Sequence, residues 1–387
     1  MTTTKHQKHA RLSKPNYGSF GRQEWAIIGT PCGNIQQLAY QLTKALSNKF
    51  KVAYVDADHK SADVADWKVD RNSAMANGAW LEYTDKIDYH RFDTKARLNS
   101  YQYRQYFNES DVVLVNGNHF LAKKQIVVVD PKKELSLSKK LDRLTDVDLI
   151  LLTEEAKRMP DYLKAHLPNI ETIPTFMFSD TEKIVTFLKK ELLSSIPPLY
   201  GLVLAGGKSQ RMGQDKGRID YHGKPQRIYV ADMLNQLCDA TYLSVRSTHN
   251  ETKESYPFLV DAFFDLGPFG AITSAFKQHP NAAWLVVACD LPLLDFDTLN
   301  FLVTNRNPSS VATAFNSPSN EFPEPLISIW EPKSYPVLFQ FLTQGYSCPR
   351  KVLINSDVHL LDVSDGEKLM NVNHPDEMKE VLKLIQS

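Results

Sequence analysis

The sequence predicts an α/β protein of two domains, each a mainly parallel sheet flanked by helices. Three observations lead there. Short apolar runs alternate with segments of helical spacing through both halves of the chain, the pattern of repeated β–α–β units. In each half the first of these runs ends in a glycine-containing turn, Gly29-Thr30-Pro31-Cys32-Gly33-Asn34 in one and a longer stretch from Gly206 in the other. Between the halves, Pro197-Pro198 interrupts a helical pattern; prolines cannot continue a helix and hold the residue before them extended. The domains are therefore expected at residues 1–195 and 199–387, and so short a linker implies that they lie against each other.

Composition narrows the function classes. At 387 residues the chain exceeds one ordinary core. Lys plus Arg equals Asp plus Glu at 45 each, so no global field favours nucleic acid or a membrane, and any anion site must be local. Up to residue 23 the balance breaks, with Lys5, Lys8, Arg11, Lys14 and Arg22 and no acid; the plainest reading is a solvated basic tail. That tail has no apolar core for a secretory signal, and no apolar run approaches the ~20 residues of a membrane span. Cys32, Cys238, Cys289 and Cys348 are scattered without a CxxC, which favours free thiols in a reducing cytoplasm over disulfides or zinc.

In the first half, Trp25–Gly29 reads as a strand, Asn34–Leu46 as a helix and Phe50–Val55 as a second strand ending in Asp56-Ala57-Asp58-His59. Apolar runs at 111–115, 126–129, 148–152 and 172–178 continue the sheet, and a helix over 181–193 closes it. Asp56, Asp58 and His59 stand at a strand's carboxyl end, where α/β sites form; capping of the next segment explains them equally well. Asn116-Gly117-Asn118-His119 admits the same two readings.

The second half starts with the buried strand Leu199–Leu204. The loop after it carries glycines at 206, 207, 213 and 217 with Lys208, Arg211 and Lys216. Glycines let backbone N–H groups approach an anion, and the cations neutralise it, so the loop is built for phosphate. It is not a kinase or ATPase P-loop, having no Gly-Lys-Ser/Thr triplet. A helix over 226–237 follows, then a strand Ala240–Val245 ending at Arg246, a short strand Pro257–Val260 before Asp261, and Gly267-Pro268-Phe269-Gly270 opening a helix. Trp284–Ala288 is a buried strand that delivers Cys289-Asp290 to its carboxyl edge. The result is a doubly wound sheet with ligands along that edge. There Asp290 is placed to hold magnesium, which takes one or two carboxylates plus phosphate oxygens and water; the competing reading is a helix N-cap.

The pattern LAGGxxxRMGxDK from Leu204 to Lys216 resembles the molybdenum cofactor guanylyltransferases, which attach GMP to molybdopterin. The resemblance implies a Rossmann-like nucleotidyltransferase fold for residues 199–387, with GTP and molybdopterin as substrates. It assigns Leu204, Ala205, Gly206 and Gly207 to base and phosphate contacts, Arg211 and Lys216 to the phosphates, and Asp261 to the nucleotide. Cys289-Asp290-Leu291-Pro292 matches the family's CDxP segment, making Asp290 the ligand of Mg2+. Gly267–Gly270 matches its GPLxG loop with Phe for Leu, and Asn371-Val372-Asn373-His374-Pro375 resembles its NVNxP segment, although Asn373 is also a sound N-cap. Pro323–Ile327 begins a strand on the pterin side. Cys348-Pro349-Arg350-Lys351 offers cations to a substrate phosphate or is a solvated loop. An Asn that the family carries near Val245 is absent, and Arg246 stands there instead.

The first half resembles the P-loop domain of the molybdopterin-guanine dinucleotide adaptor protein, a GTP-binding partner of the guanylyltransferase. Gly29–Asn34 occupies the phosphate-loop position but lacks the Lys and Ser/Thr of a working loop, so this domain is degenerate, and the resemblance gives it molybdoenzymes or cofactor-biosynthesis proteins as partners. Three alternatives stay open: a cytidylyltransferase, whose loop tends to read Ala-Ala-Gly; a sugar-phosphate nucleotidyltransferase of the same fold; and a non-catalytic cofactor-delivery scaffold.

Overall fold

Aliphatic and β-branched runs form the inner strands of two separate sheets. The computed structural model describes residues 18–57, 73–206, 215–247 and 254–386. These make two units, Arg22–Glu191 as one and Leu192 onward, joined by the residues up to Gly21, as the other.

The first unit contains β1 (Gln23–Ile28), β2 (Val52–Val55), β3 (Leu81–Asp85), β4 (His90–Thr94), β5 (Val112–Asn116), β6 (Lys124–Val129), β7 (Val147–Leu152) and β8 (Thr175–Met177). Six of them form a sheet in the order β2-β5-β1-β6-β7-β8, every pair parallel. Helix α1 (Cys32–Leu46) begins two residues earlier than the apolar spacing suggests and buries Ile35, Leu38, Ala39, Leu42 and Leu46, one face of a helix. The run at 172–178 shortens to β8, because Ile170–Thr172 forms a 3-10 turn just before it. Strands β3 and β4 are a separate antiparallel hairpin absent from the sequence-based expectation.

Between β1 and α1 the chain turns on Gly29, at φ +101°, where an added Cβ would lie 2.3 Å from the Val128 carbonyl oxygen. Neither the backbone angle nor the space admits a side chain. Gly29→Ala is expected to destabilise this unit by about 2–4 kcal/mol, left-handed strain plus overpacking, read as a lower urea midpoint.

The second unit holds β9 (Leu199–Leu204), β10 (Ala240–Val245), β11 (Phe258–Val260), β12 (Ala283–Ala288), β13 (Ala312–Asn316), β14 (Pro323–Trp330) and β15 (Val358–Leu361). Their order is β11-β10-β9-β12-β14-β13-β15. Strand β14 runs antiparallel to both β12 and β13, and the other neighbours are parallel, so the sheet is mixed but mostly parallel. Helix α2 (Thr181–Ser194) belongs to the first unit as far as Glu191. The helices of the second unit are α3 (Gln226–Leu237), α4 (Pro268–Gln278), α5 (Phe296–Thr304), α6 (Ser334–Thr343), α7 (Pro349–Ile354) and α8 (Pro375–Gln386). Strand β12 is buried along its whole length. Its period of two sends Leu285 and Val287 into a core with Val230 and Leu234 of α3, and Trp284 and Val286 into another with Phe269 and Ile272 of α4. No described helix is long and apolar enough to cross a membrane.

Candidate active site

Strands β9 and β12 pair in parallel up to Leu204 opposite Ala288. From β9 the chain crosses to β10 on one side, while β12 lies on the other, so the sheet reverses winding between them. At such a switch point the loops leaving the two carboxyl ends diverge and open a crevice. A cleft of about 570 Å³ lies here, lined by Leu204, Ala205, Gly206, Lys216, Asp261 and Asp290 among others, within the roughly 300–1,000 Å³ usual for small-molecule sites.

Of the eight residues assigned base, phosphate, nucleotide or metal contacts from the sequence, six therefore line this cleft. Gly207 and Arg211 lie outside the described residues. Gly206 packs against the end of β10, where an added Cβ would come within 3.3 Å of the Arg246 nitrogen. Ala205 lines the cleft, but its N–H donates to the Ser244 carbonyl at 3.2 Å, so it supplies surface rather than a donor. Lys216 Nζ donates to Asn373 Oδ1 at 2.7 Å and faces Asp290 Oδ2 at 3.4 Å. Both partners of the ion pair keep a side-chain exposure of 20%. Asp290 caps no helix. The next helix, α5, starts at Phe296 and is capped by Asp295, whose side chain accepts from the Thr298 N–H. Burial pushes the Asp290 carboxyl above its ordinary range, and the Lys216 ammonium draws it part of the way back. Burial, and then the Asp290 charge, also raise the neighbouring Cys289 thiol.

On the far side of the cleft Asp261 accepts a hydrogen bond from Ser244 Oγ at 2.9 Å. Burial raises its carboxyl, opposed by the Ser244 hydroxyl and the Arg246 guanidinium. Phe263, Phe264 and Asp265 add an aromatic and acidic wall next to Gly267 and Pro268. Asp265 and Gly267 both adopt positive φ, 59° and 57°, before Pro268 opens α4 as its first residue.

Asn373 belongs to the site and not to a helix cap. Its side-chain oxygen is taken by Lys216, and the Glu377 carboxylate instead accepts the N–H groups of Asn373 and His374 at 2.6 and 3.1 Å. Val372 fixes the segment: its N–H donates to the Asp290 carbonyl at 2.8 Å, and its side chain packs with Ile219, Tyr221 and Val381 in a small core under α8. Ser244, Asp215 and Phe264 line the cleft without having been assigned to it from the sequence, and Leu326, from the segment expected on the pterin side, lines it too. Asp215 had a signal, standing directly before Lys216. Arg350 and Lys351 are not among the lining residues; Arg350 meets Glu324 at 3.3 Å and Lys351 sits 3.8 Å from the Tyr346 ring centroid.

The donor set fits a magnesium ion. Asp290 Oδ1 is buried and accepts nothing from any described residue, and one open carboxylate oxygen beside a phosphate loop is what a metal completed by phosphate and water requires. Among the described residues no three His, Cys, Asp or Glu side chains converge on a metal, so the protein alone does not cage one.

In the first unit the side chains at the carboxyl ends of β1 and β6 bond to one another. Thr30 Oγ1 donates to Asp130 Oδ2 at 2.6 Å with both residues buried, Asn34 donates to Thr30 Oγ1, and Asn118 donates to the Thr30 carbonyl. Asp56 is held by Asn116 and Tyr54 at 2.7 and 2.6 Å; Asp58 and His59 lie outside the described residues.

Sheet order, switch-point cleft and facing charges make a site suited to a small phosphorylated ligand. Residues 201–359 match the family model described as the MobA-like NTP transferase domain, and the chain carries such a domain. Among similar proteins, a molybdenum cofactor biosynthesis bifunctional protein of Synechocystis sp. is 33% identical over 186 residues, 48% of this chain and 54% of that protein, so the match spans about half the relative's length. A molybdenum cofactor guanylyltransferase of Pseudomonas putida is 29% identical over 194 residues, 48% of this chain and 98% of that protein. Two solved structures are also similar. Molybdopterin-guanine dinucleotide biosynthesis protein A of Archaeoglobus fulgidus has TM-score 0.41 and 19% identity, covering 48% of this chain and 98% of that one. Bacillus subtilis MobB has TM-score 0.32 and 11% identity, covering 44% of this chain and 97% of that one.

Proposed function

We propose that the second unit transfers GMP from GTP to the terminal phosphate of molybdopterin, forming molybdopterin guanine dinucleotide and releasing diphosphate. The observation that carries this reading is the Lys216 ammonium held between Asn373 and Asp290 at the mouth of the β9–β12 crevice; the guanylyltransferase relatives supply the choice of substrates.

An oxygen of the acceptor phosphate attacks the α-phosphorus, the bond to the bridging oxygen of the β-phosphate breaks, and diphosphate leaves. No protein nucleophile is needed, and the Cys289 thiol, pushed up by burial, is unsuited to be one. What the chain provides is placement and charge. Gly206 lets the phosphates come close to the backbone, Lys216 neutralises them, and Arg211 adds a second cation from the loop. Asp261, fixed by Ser244, holds the nucleoside end. Asp290 would hold magnesium, which when bound neutralises charge growing on the phosphates. We place this activity in the cytoplasm, in a domain spanning residues 199–387, and assign the domain of residues 1–195 to contact with molybdoenzymes or other cofactor-biosynthesis proteins.

Incubating the pure chain with magnesium, molybdopterin and each labelled nucleoside triphosphate tests the proposal. Diphosphate release is expected with GTP, and only when molybdopterin is present. Release with CTP alone among the nucleotides, or with a sugar phosphate in place of molybdopterin, would overturn it.

A further inference from the structure

After β12 the chain runs through Asp290, Leu291 and Pro292, and a donor from elsewhere in the second unit takes each of these three successive carbonyls. The Val372 N–H donates to the Asp290 carbonyl at 2.8 Å, Gln226 Nε2 to that of Leu291 at 3.4 Å, and His222 Nε2 to that of Pro292 at 2.9 Å. A carbonyl oxygen only accepts, so the imidazole carries a proton on Nε2. Its ring is fixed by stacking on Tyr229 of α3, with centroids 3.8 Å and planes 16° apart. His222 itself stands in a tight turn closed by an antiparallel bridge between Asp220 and Pro225.

Each of these donors comes from a segment that also brings a side chain to the cleft. His222 and Gln226 follow Lys216 in one continuous stretch, and Val372 directly precedes Asn373. Side chains join the same segments where Lys216 Nζ meets Asp290 and Asn373. A lysine ammonium on its flexible four-carbon stem sets a separation poorly; the bonds to the three carbonyls, two of them from the short side chains of His222 and Gln226, set it through the backbone. Stacking on Tyr229 needs only a ring, whereas the Pro292 carbonyl needs the nitrogen. We infer, on the reading of Asp290 as the residue that would hold magnesium, that His222 is a positioning residue for nucleotidyl transfer: by gripping the Pro292 carbonyl it fixes the course of the chain after Asp290 and so aims the carboxylate across the cleft at the phosphates.

Two variants of the full chain test this. His222→Phe keeps a ring to stack on Tyr229 and removes the donor, while His222→Gln gives up the ring and keeps an N–H near the place of Nε2. Binding of Mn2+ in the presence of GTP, followed by electron paramagnetic resonance, is read beside steady-state transfer with magnesium and molybdopterin. Groups that orient a metal-holding side chain from behind are typically worth about 10–100-fold in metal affinity or activity. The Phe variant is therefore expected to bind Mn2+ about tenfold or more weakly and to lose kcat by a similar factor, with the KM for GTP within about twofold of wild type. The Gln variant should recover most of both losses. A merely structural role would instead track the melting temperature and favour the stacked Phe over Gln. A Phe variant that binds Mn2+ as the wild type does, a Gln variant no better than Phe, or losses that follow the melting temperature would each overturn the assignment. A wild type that binds no Mn2+ with GTP would overturn it as well. The metal readout needs no turnover, so a wild type that binds Mn2+ but releases no diphosphate would count against the proposed reaction alone, and the Mn2+ affinities of the two variants would still decide for or against His222.

Discussion

Asp290→Asn is expected to lower nucleotidyl transfer by about a hundredfold or more, on the order of 2.7 kcal/mol of transition-state stabilisation, while leaving the domain at least as stable as before. The two halves of that result have separate causes. Activity falls because the Asp290 carboxylate, whose buried Oδ1 has no hydrogen-bond partner among the described residues, would hold the metal on the phosphates, and an amide oxygen is a poorer ligand for a hard cation. Stability does not fall, because the folded protein raises this carboxyl, chiefly by burial. An acid whose pKa is higher in the folded than in the unfolded state binds more protons when folded. Its ionisation is therefore a liability that sets in as pH rises from the ordinary Asp value through the raised one. The wild type should thus gain stability on mild acidification through that window, and the Asn variant should lack this part of the gain. Asp261 is raised as well, so the difference between wild type and variant is the quantity to measure, as melting temperature in steps upward from the ordinary Asp value to neutrality. Near-normal turnover, or a variant that melts well below the wild type, would sink the assignment.

Lys216→Met should cost as much activity and, unlike the first change, also stability. Removing the ammonium strips the phosphates of their cation, again about a hundredfold or more, and leaves Asp290 charged beside no partner. Breaking a fully buried pair typically costs about 3–5 kcal/mol. With each side chain 20% exposed and the pair 3.4 Å apart, a discounted loss of about 1–2 kcal/mol is the expectation here. Combining it with Asp290→Asn should return most of the lost stability and none of the activity, an interaction energy visible in a double-mutant cycle. Equal destabilisation by the single and double variants would show that the two charges do not act as a pair.

The parts of this molecule that were legible beforehand are those whose residues answer to a single physical demand. Inner parallel strands must be apolar on both faces, so Trp284–Ala288 and Leu199–Leu204 stand out at once. An anion turn needs glycine and cations together, which marks Gly206 and Lys216. The hairpin was invisible for the converse reason. Leu81-Glu82-Tyr83-Thr84-Asp85 and His90-Arg91-Phe92-Asp93-Thr94 are half polar, and their turn has Ile87 at positive φ where glycine or asparagine would have announced it. Asn373 was ambiguous because one side chain suits a cap and a ligand equally; only the Glu377 carboxylate, which takes over the capping, decides between them. The antiparallel course of β14 leaves no local signature, since an apolar strand reads the same in either direction. In the first unit Thr30 and Asp130 are a hundred residues apart, and nothing in either neighbourhood says that they meet.

The hydrogen bond from Val372 to the Asp290 carbonyl also sets a schedule. Ribosomal synthesis releases the glycine turn, then Lys216, then the acid, and only more than eighty residues afterwards the asparagine that steadies the ammonium. Domains tend to fold as they emerge, but β13, β14 and β15 all lie between the acid and the asparagine, so for that interval the growing chain has an incomplete sheet and an unanchored cation. A premature nucleotide would find nothing ready to grip it.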